Sequence, residues 1–516
     1  MKIKYLLPSI VVAAAIAGAC SDKAVDSNKL VILHTNDTHS QIDPGSDNLG
    51  GVMRRKAIID SVRGAEKNVL LVDAGDAVQG TLYFYLYGGK VEQEVMNILG
   101  VETRILGNHE FDNGIDSLAS VLKYSDAEML SANYDLSKTP LEGRFKPYTI
   151  KEYNGKRIGI IGLNLDPNGI ISPDNFKGLE YLPIVATANL TAEKLKKDEK
   201  VDAVIALTHI GYNPAGLVGD SVLATNSRDI DIIIGGHSHD TIDPTTENGA
   251  RRSRLKNLEG KDVLVVQTGK SGRNVGKIEI NLDSLGLGAS PSYELIPVTE
   301  RYDNYADTKL ADYLSKYSAG VDSLMTMWIG TTAHELPASS PELLNYFTDF
   351  IYDSGSEIAP KVDLAIANKG GLRSGIPAGK FSKGQIINML PFANYVTVLD
   401  VKGSDLAEVF DVMANTHGNG VSRNVSAEYV VSDDGAKSRN VLINGKPIDP
   451  EQTYRVATID YLAKGGDYMT GLTRGNVVVT KKVPVFEDLV EYITTGKGAG
   501  RELGGDTEAR WKSAGK

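Results

Sequence analysis

Five times along this 516-residue chain a short apolar run stops at Asp, Asn or His. Leu30-Val31-Ile32-Leu33 leads into His34-Thr35-Asn36-Asp37-Thr38-His39, and Val69-Leu70-Leu71-Val72 into Asp73-Ala74-Gly75-Asp76. Thr103-Arg104-Ile105-Leu106 leads into Gly107-Asn108-His109-Glu110-Phe111-Asp112. Val201 to Leu207 runs into Thr208-His209, and Asp231 to Ile234 into Gly235-Gly236-His237-Ser238-His239. A short apolar run closed by a turn reads as a buried strand. A sixth run, Val263 to Val266, ends in Gln267-Thr268-Gly269, and helical patterns such as Gly51 to Arg63 and Leu190 to Lys197 fill the intervals. Strands alternating with helices specify an α/β domain, whose chemistry collects at the carboxyl ends of the strands.

Histidine placement turns this pattern toward chemistry. The chain has eight histidines. Five of them, His39, His109, His209, His237 and His239, sit just past these runs, together with Asp37, Asp76 and Asn108. Scattered surface or core histidines would not gather at one topological position. His34 alternates away from His39 and reads as structural, and His334 and His417 receive no role. The donors are imidazole, carboxylate and amide, with no thiolate. That set suits zinc, manganese or iron better than an all-oxygen calcium cage. It is too large for one tetrahedral ion. Two divalent ions about 3.5–4 Å apart would share it through a bridging carboxylate, acidify a water and bind phosphoryl oxygens.

Length and charge bound the rest. A chain this long needs more than one core, so two large domains are expected. A net charge of -11 argues against a nucleic-acid polymer as partner. Lys2 and Lys4 precede an apolar stretch, Tyr5 to Ala17, and then Gly18-Ala19-Cys20. This reads as a secretory signal, too short to span a bilayer. Cys20 is the only cysteine, so no disulfide can form within the chain. The segment resembles a bacterial lipoprotein signal over residues 1–20, with lipid attached at Cys20, although Ala17 departs from the usual leucine. More than one acyl chain would anchor the protein stably to the cell envelope. The alternative is cleavage nearby and release of a soluble protein. Residues 21–29 read as a tether.

Asp37-Thr38-His39, Gly75-Asp76, Gly107-Asn108-His109-Glu110, Thr208-His209 and Gly236-His237-Ser238-His239 occur in one order and spacing, joined by Gln79-Gly80-Thr81 and Phe111-Asp112-Asn113-Gly114. In these motifs the chain resembles the metallophosphoesterase domain of the 5'-nucleotidase family. The resemblance implies a four-layer α/β/β/α domain over residues 30–300. It implies that Asp37, His39, Asp76 and His239 hold one ion, where some members have glutamine at the His239 position. Asp76 bridges, and Asn108, His209 and His237 hold the second ion. His109 is not a ligand in this family but faces the phosphoryl group, oriented by Asp112. The His109-to-Asp112 spacing lets the two side chains meet.

After a Gly/Ser/Pro break at Ser284 to Pro291, an amphipathic pattern from Tyr302 to Leu324 reads as a helical linker, residues 301–328. Residues 329–510 carry Asn368-Lys369-Gly370-Gly371-Leu372-Arg373, Leu390-Pro391-Phe392 and Tyr461-Leu462-Ala463-Lys464-Gly465-Gly466-Asp467. These resemble the family's carboxyl-terminal α/β domain. By that resemblance Phe392 and Tyr461 sandwich a base, Asn368 and Gly370 touch its edge, Asp467 takes the ribose, and Arg373 grips phosphate as a two-pronged donor. Ser339 stands where the family usually places a phosphate-binding arginine. The implied activity is hydrolysis of nucleotide phosphomonoesters. The alternatives are 2',3'-cyclic-nucleotide or 3'-nucleotide hydrolysis, UDP-sugar hydrolysis, or a lipoprotein that binds nucleotides without turnover.

Overall fold

The computed structural model describes residues 27–214, 217–285, 291–338, 340–415, 419–432 and 435–514. Cys20, Ser339 and His417, with the signal segment, lie outside them. Two sheets form the first half. One runs in the order Ser292–Pro297, Asn274–Asn281, Lys29–Thr35, Asn68–Asp73, Thr103–Arg104 and Glu128–Met129. The other runs Thr241–Ile242, Asp262–Thr268, Ile232–Ile234, Ala203–His209, Lys156–Asn164 and Tyr148–Tyr153, with Arg254–Lys256 paired beside Asp262–Thr268.

Strand alternation explains why the sheets stack. Leu30, Ile32, Leu70 and Val72 from one sheet bury against Ile158, Ile160, Ile205, Leu207, Ile232, Ile234 and Leu264 from the other. The intervening residues point outward: Val31, Leu33 and Leu71 toward Val52–Ala65 and Lys90–Leu99, and Ile161, Val204, Ala206 and Ile233 toward Ile184–Lys197. Both faces of each central strand are thus apolar, which is why these runs are continuous rather than alternating. The result is an α/β/β/α sandwich.

The run at Thr103 departs from its sequence reading. Only Thr103–Arg104 pairs as a strand. Ile105 keeps a single bond to the Asp73 carbonyl at 3.3 Å, and the chain then swings away into a short 3-10 turn, His109–Phe111. The hairpin Tyr148–Tyr153/Lys156–Asn164 and the strands Asn274–Asn281 and Ser292–Pro297 have no counterpart among the expected elements. The break at Ser284 to Pro291 lies between two paired strands of one sheet.

Helix Thr308–Met325 follows, capped by Asp307 Oδ1 on the Leu310 N–H at 2.8 Å. Tyr87 Oη donates to the Tyr317 carbonyl at 2.7 Å and pins this helix to the first half. The second half is built on a five-stranded sheet, Gly420–Val421, Leu364–Ala367, Thr453–Ile459, Tyr395–Lys402 and Asn476–Pro484. Helices Pro341–Ile358 and Gly403–Asn415 pack against it. Among the described residues no helix is long and apolar enough to cross a membrane.

Candidate metal centre and substrate cleft

Sheet register brings the motifs together. Thr35 pairs with Asp73, so the loops beyond them emerge side by side. The Asp37 N–H then donates to the Gly75 carbonyl at 2.9 Å, and the His39 N–H to the Asp76 carbonyl at 3.0 Å. In the facing sheet Asn164 pairs with His209, and Leu207 with Ile234, which sets His209 beside the His237 loop. Asp37, His39, Asp76, His237 and His239 all adopt positive φ, between 47° and 77°. Non-glycine residues rarely do so, and such strain clusters at functional sites. Here it turns each side chain back over the strand ends. At Gly236 a Cβ would lie 2.8 Å from His209 Nδ1 and 2.9 Å from Asp37 Oδ2, so only glycine allows this approach.

The side chains converge. His39 and His239 face each other, Nε2 to Nε2, at 3.0 Å. Asp37 Oδ1 lies 3.5 Å from His239 Nε2 and 3.8 Å from both His39 Nε2 and His209 Nε2. His209 Nε2 is 3.1 Å from Asp76 Oδ2, and His237 Nδ1 is 2.8 Å from Asn108 Oδ1. Two separate triads could each hold an ion, Asp37/His39/His239 and Asp76/His209/His237; a further grouping, His39/Asp76/His109, lies between them.

Charge and tautomer fit cations. His209 Nδ1 bonds the Ala74 carbonyl at 2.7 Å, which turns Nε2 toward the carboxylates, and that buried nitrogen has no hydrogen-bond partner. Burial alone would lower the His209 imidazole, but Asp76 and Asp37 outweigh it and raise it to about 10. The carboxylates thus draw positive charge to this point. Burial pushes Asp37 up to about 7 and lowers His237 to about 3, while His39 also falls well below its ordinary value for the same reason. Imidazole nitrogens with carboxylates and an amide oxygen are the donor set borderline divalent ions prefer.

His109 lies at the edge of this cluster. Its Nδ1 is 2.9 Å from Asp112 Oδ2 and its Nε2 3.9 Å from Asp76 Oδ2. Burial opposes its protonation, but Asp112 and Asp76 prevail and raise its pKa. Arg373 reaches in from the second half, with Nη2 3.2 Å from His39 Nε2. Its guanidinium lies 5.8 Å from the Phe392 ring centroid, and the Phe392 and His109 rings are 5.7 Å apart. Asn368 donates to Asp467 Oδ2 at 2.8 Å, and Tyr461 Oη lies 2.8 Å from Asp467 Oδ1. Asp76, Asn108, His109, Asp112, His237, His239, Asn368, Gly370, Arg373, Phe392, Tyr461 and Asp467 all line one cavity of about 720 Å³. Asp37, His39 and His209 lie buried beneath it.

Three contributors were missed in the sequence. Glu110 accepts the N–H groups of Asp76, Ala77 and Gly107 at 3.1, 2.9 and 2.6 Å. Asn36 bonds Asp37 Oδ2 at 2.6 Å and spans to Thr268 and Gly269. Asp220 accepts from Thr208 Oγ1 at 2.6 Å and from Gln267 Nε2 at 2.8 Å, bracing the strand that carries His209. Glu110 and Asn36 were legible in principle, as polar residues wedged inside motifs. Asp220 had no local signal.

A sandwich of this kind, with Asp, Asn and His at its strand ends, is a metallophosphoesterase. Residues 30–241 match the calcineurin-like phosphoesterase family, and residues 328–474 match the 5'-nucleotidase C-terminal domain. The chain is 30% identical to a snake venom 5'-nucleotidase of Naja atra over 490 residues, covering 86% of this chain and 91% of that one. It is 27% identical to the trifunctional nucleotide phosphoesterase of Bacillus subtilis, where 85% of this chain aligns but spans only 32% of that longer protein. The 5'-nucleotidase precursor of Thermus thermophilus superposes with a TM-score of 0.83 at 30% identity, covering 94% of this chain and 99% of that one. The chain belongs to the 5'-nucleotidase family and is a metal-dependent hydrolase of phosphoric esters.

Proposed function

We propose that this protein hydrolyses nucleotide phosphomonoesters to nucleoside and phosphate at a two-metal centre. The carrying observation is the single cavity: the metal-type cluster, the His109–Asp112 pair, Arg373 and the Phe392 and Tyr461 rings open onto the same space. A binding protein would have no use for a half-buried His–Asp pair at the edge of the cluster. Asp37, His39, Asp76 and His239 would hold one ion, and Asp76, Asn108, His209 and His237 the other. Bound there, divalent ions supply Lewis acidity, making water nucleophilic at neutral pH and neutralising phosphoryl charge.

The remaining roles belong to the chain's own side chains. Arg373 is always cationic, and its guanidinium offers paired N–H donors to phosphate oxygens. Asp112 accepts from His109 Nδ1, and Asp112 and Asp76 together favour the imidazolium form, in which Nε2, the nitrogen that faces Asp76, also carries a proton. As the bond from phosphorus to the nucleoside oxygen breaks and a water oxygen bonds to phosphorus, that proton passes to the departing oxygen; one proton of the water stays on the phosphate and the other goes to solvent, from which His109 is reprotonated. Phe392 and Tyr461 take the base by stacking, and Asp467 accepts from the ribose. The protein is exported and held to the cell envelope through lipid on Cys20. Zinc and manganese both suit the donor set.

The test is phosphate release from a panel of nucleoside 5'-monophosphates, 3'-monophosphates, 2',3'-cyclic nucleotides and UDP-sugars, with and without chelator. Chelator-sensitive release fastest from 5'-monophosphates supports the proposal. Faster turnover of a cyclic nucleotide or UDP-sugar transfers it to that substrate, and binding without release leaves a capture protein.

A further inference from the structure

The Tyr461 hydroxyl has more to do than a stacking ring requires. It accepts the Asp467 N–H at 3.2 Å. Its single proton faces two acceptors, Asp467 Oδ1 at 2.8 Å and the Ile170 carbonyl at 3.1 Å. A hydroxyl has one hydrogen to give, so these acceptors compete. Asp467 belongs to the second half of the chain, on the side proposed to hold the ribose. Ile170 belongs to the first, on the loop between Asn164 and Pro173. Burial and then Asp467 hold the phenol far above its ordinary pKa, so it stays a donor.

The local backbone is built around this contact. Asp467 and Tyr468 are consecutive non-glycine residues in the left-handed region, with φ of 51° and 60°. Asp467 gives its N–H to the Tyr461 hydroxyl, and Tyr468 gives its N–H to the Gly169 carbonyl of the first half at 3.2 Å. The Tyr461 ring lies flat on Gly466, where a Cβ would come within 2.4 Å of it. Lys464 adds an ion pair to Asp174 at 3.4 Å. The same first-half loop continues to Asn175, whose Nδ2 donates to the Asp112 carbonyl at 3.0 Å. The path therefore runs from Asp467 through the Tyr461 hydroxyl to Ile170, along the loop backbone to Asn175, and from its amide to Asp112 and His109.

We infer that the Tyr461 hydroxyl is a positioning group that couples ribose recognition by Asp467 to the placement of the His109–Asp112 pair. The inference rests on the nucleotide reading above. A ribose hydroxyl donating to Asp467 gives that carboxylate a new donor and weakens its claim on the Tyr461 proton. The proton turns to the Ile170 carbonyl, and the second half tightens onto the loop that supports Asp112. A nucleotide without ribose hydroxyls leaves the proton with Asp467, and the loop lacks this one contact.

The experiment compares a nucleoside 5'-monophosphate with its 2',3'-dideoxy counterpart, in wild type and in Tyr461→Phe, which keeps the ring and removes the hydroxyl. In wild type the ribonucleotide has the higher kcat, by roughly three- to tenfold, the worth of about one hydrogen bond. In Tyr461→Phe that kcat ratio collapses to within about twofold, while the KM ratio, which reports direct contact with Asp467, persists. Asn175→Ala, which cuts the loop from Asp112 and leaves the hydroxyl in place, collapses the kcat ratio as well. A kcat ratio that survives in both variants overturns the inference and leaves the nucleotide reading standing. Failure of wild type to hydrolyse either nucleotide overturns both.

Discussion

Glu110 holds Asp76 through its backbone: Oε2 of the buried glutamate accepts the Asp76 N–H at 3.1 Å, and the same carboxylate takes the N–H groups of Ala77 and Gly107. Arg104, fully buried, stands 3.6 Å away and bonds Gln93 at 2.6 Å. One carboxylate thus ties two strand-end loops into a single unit. Replacement by alanine strands three buried donors, each costing about 1–3 kcal/mol when unsatisfied. Glu110→Ala is expected to lose about 3–5 kcal/mol in urea unfolding, and Glu110→Gln, which keeps one acceptor oxygen, about half as much. Bound metal should fall along with stability in both variants.

Asp76 belongs to groupings on both sides of the cluster, with His39 and His109 and with His209 and His237. It faces His209 at 3.1 Å, and its other oxygen takes the His109 N–H at 2.9 Å. Asp76→Asn preserves shape and removes charge. Hydrolysis should drop by orders of magnitude, and calorimetric titration with zinc or manganese should show weaker binding. Near-normal turnover at matched folding would sink the two-metal assignment.

A third expectation concerns pH and lies away from the cluster. Glu92 is 2% exposed on helix Lys90–Leu99, and neither carboxyl oxygen has a hydrogen-bond partner. Burial pushes its pKa up to about 7. In the unfolded chain it ionises near the ordinary glutamate value, so between about pH 4.5 and 7 the folded state binds more protons. Stability therefore falls as pH rises through that window, by roughly 3 kcal/mol from this group alone. Glu92→Gln cannot ionise and should melt higher than wild type at pH 8, with the gain vanishing at pH 4. A gain equal at both pH values would assign the effect to packing.

How much of this was legible beforehand follows from where the information lies. The strands that carry His39, Asp76, His209 and His237 are buried on both faces, so each wrote itself as an unbroken apolar run. Tyr148–Tyr153 and Ser292–Pro297 lie at sheet edges, are partly exposed, and left only mixed patterns. The residues of the cluster were readable because chemistry dictates their type. Their supports were not: Asp220 lies 11 residues beyond His209 and reaches it only through Thr208, a relation created by the fold. The Ile170 contribution is a backbone carbonyl, for which side-chain identity holds no information at all.

The anchor is tested at the amino terminus. The motivation is Cys20, the single cysteine, immediately behind an apolar segment. Intact-mass spectrometry of the membrane fraction should find a diacylated or triacylated amino terminus at Cys20, and Cys20→Ala should yield unlipidated protein. An unmodified wild-type terminus at another residue would reject the assignment.

The last expectation separates chemistry from substrate choice. The metal-type cluster and His109 belong to the first half of the chain, and Phe392, Tyr461, Asp467 and Arg373 to the second. Base stacking on an aromatic ring is worth about 1–3 kcal/mol by alanine substitution. Binding lost equally from ground and transition states raises KM and leaves kcat alone. Phe392→Ala combined with Tyr461→Ala should therefore raise KM for nucleotides roughly tenfold or more, with kcat for ribonucleotides falling only by the roughly three- to tenfold that the Tyr461 hydroxyl supplies. The Phe392 ring also rests 5.7 Å from His109 and 5.8 Å from Arg373, so its removal loosens the phosphate side slightly. For a small aryl phosphate, which offers no base to the clamp, kcat/KM should fall by less than about threefold. His109→Ala should do the reverse, cutting kcat for nucleotides by about 100-fold or more with little change in KM. Equal loss of both substrates in the clamp variant would show that the aromatics hold the fold together. Loss of neither would remove nucleotides as the substrate and leave a phosphoesterase whose second half selects something else.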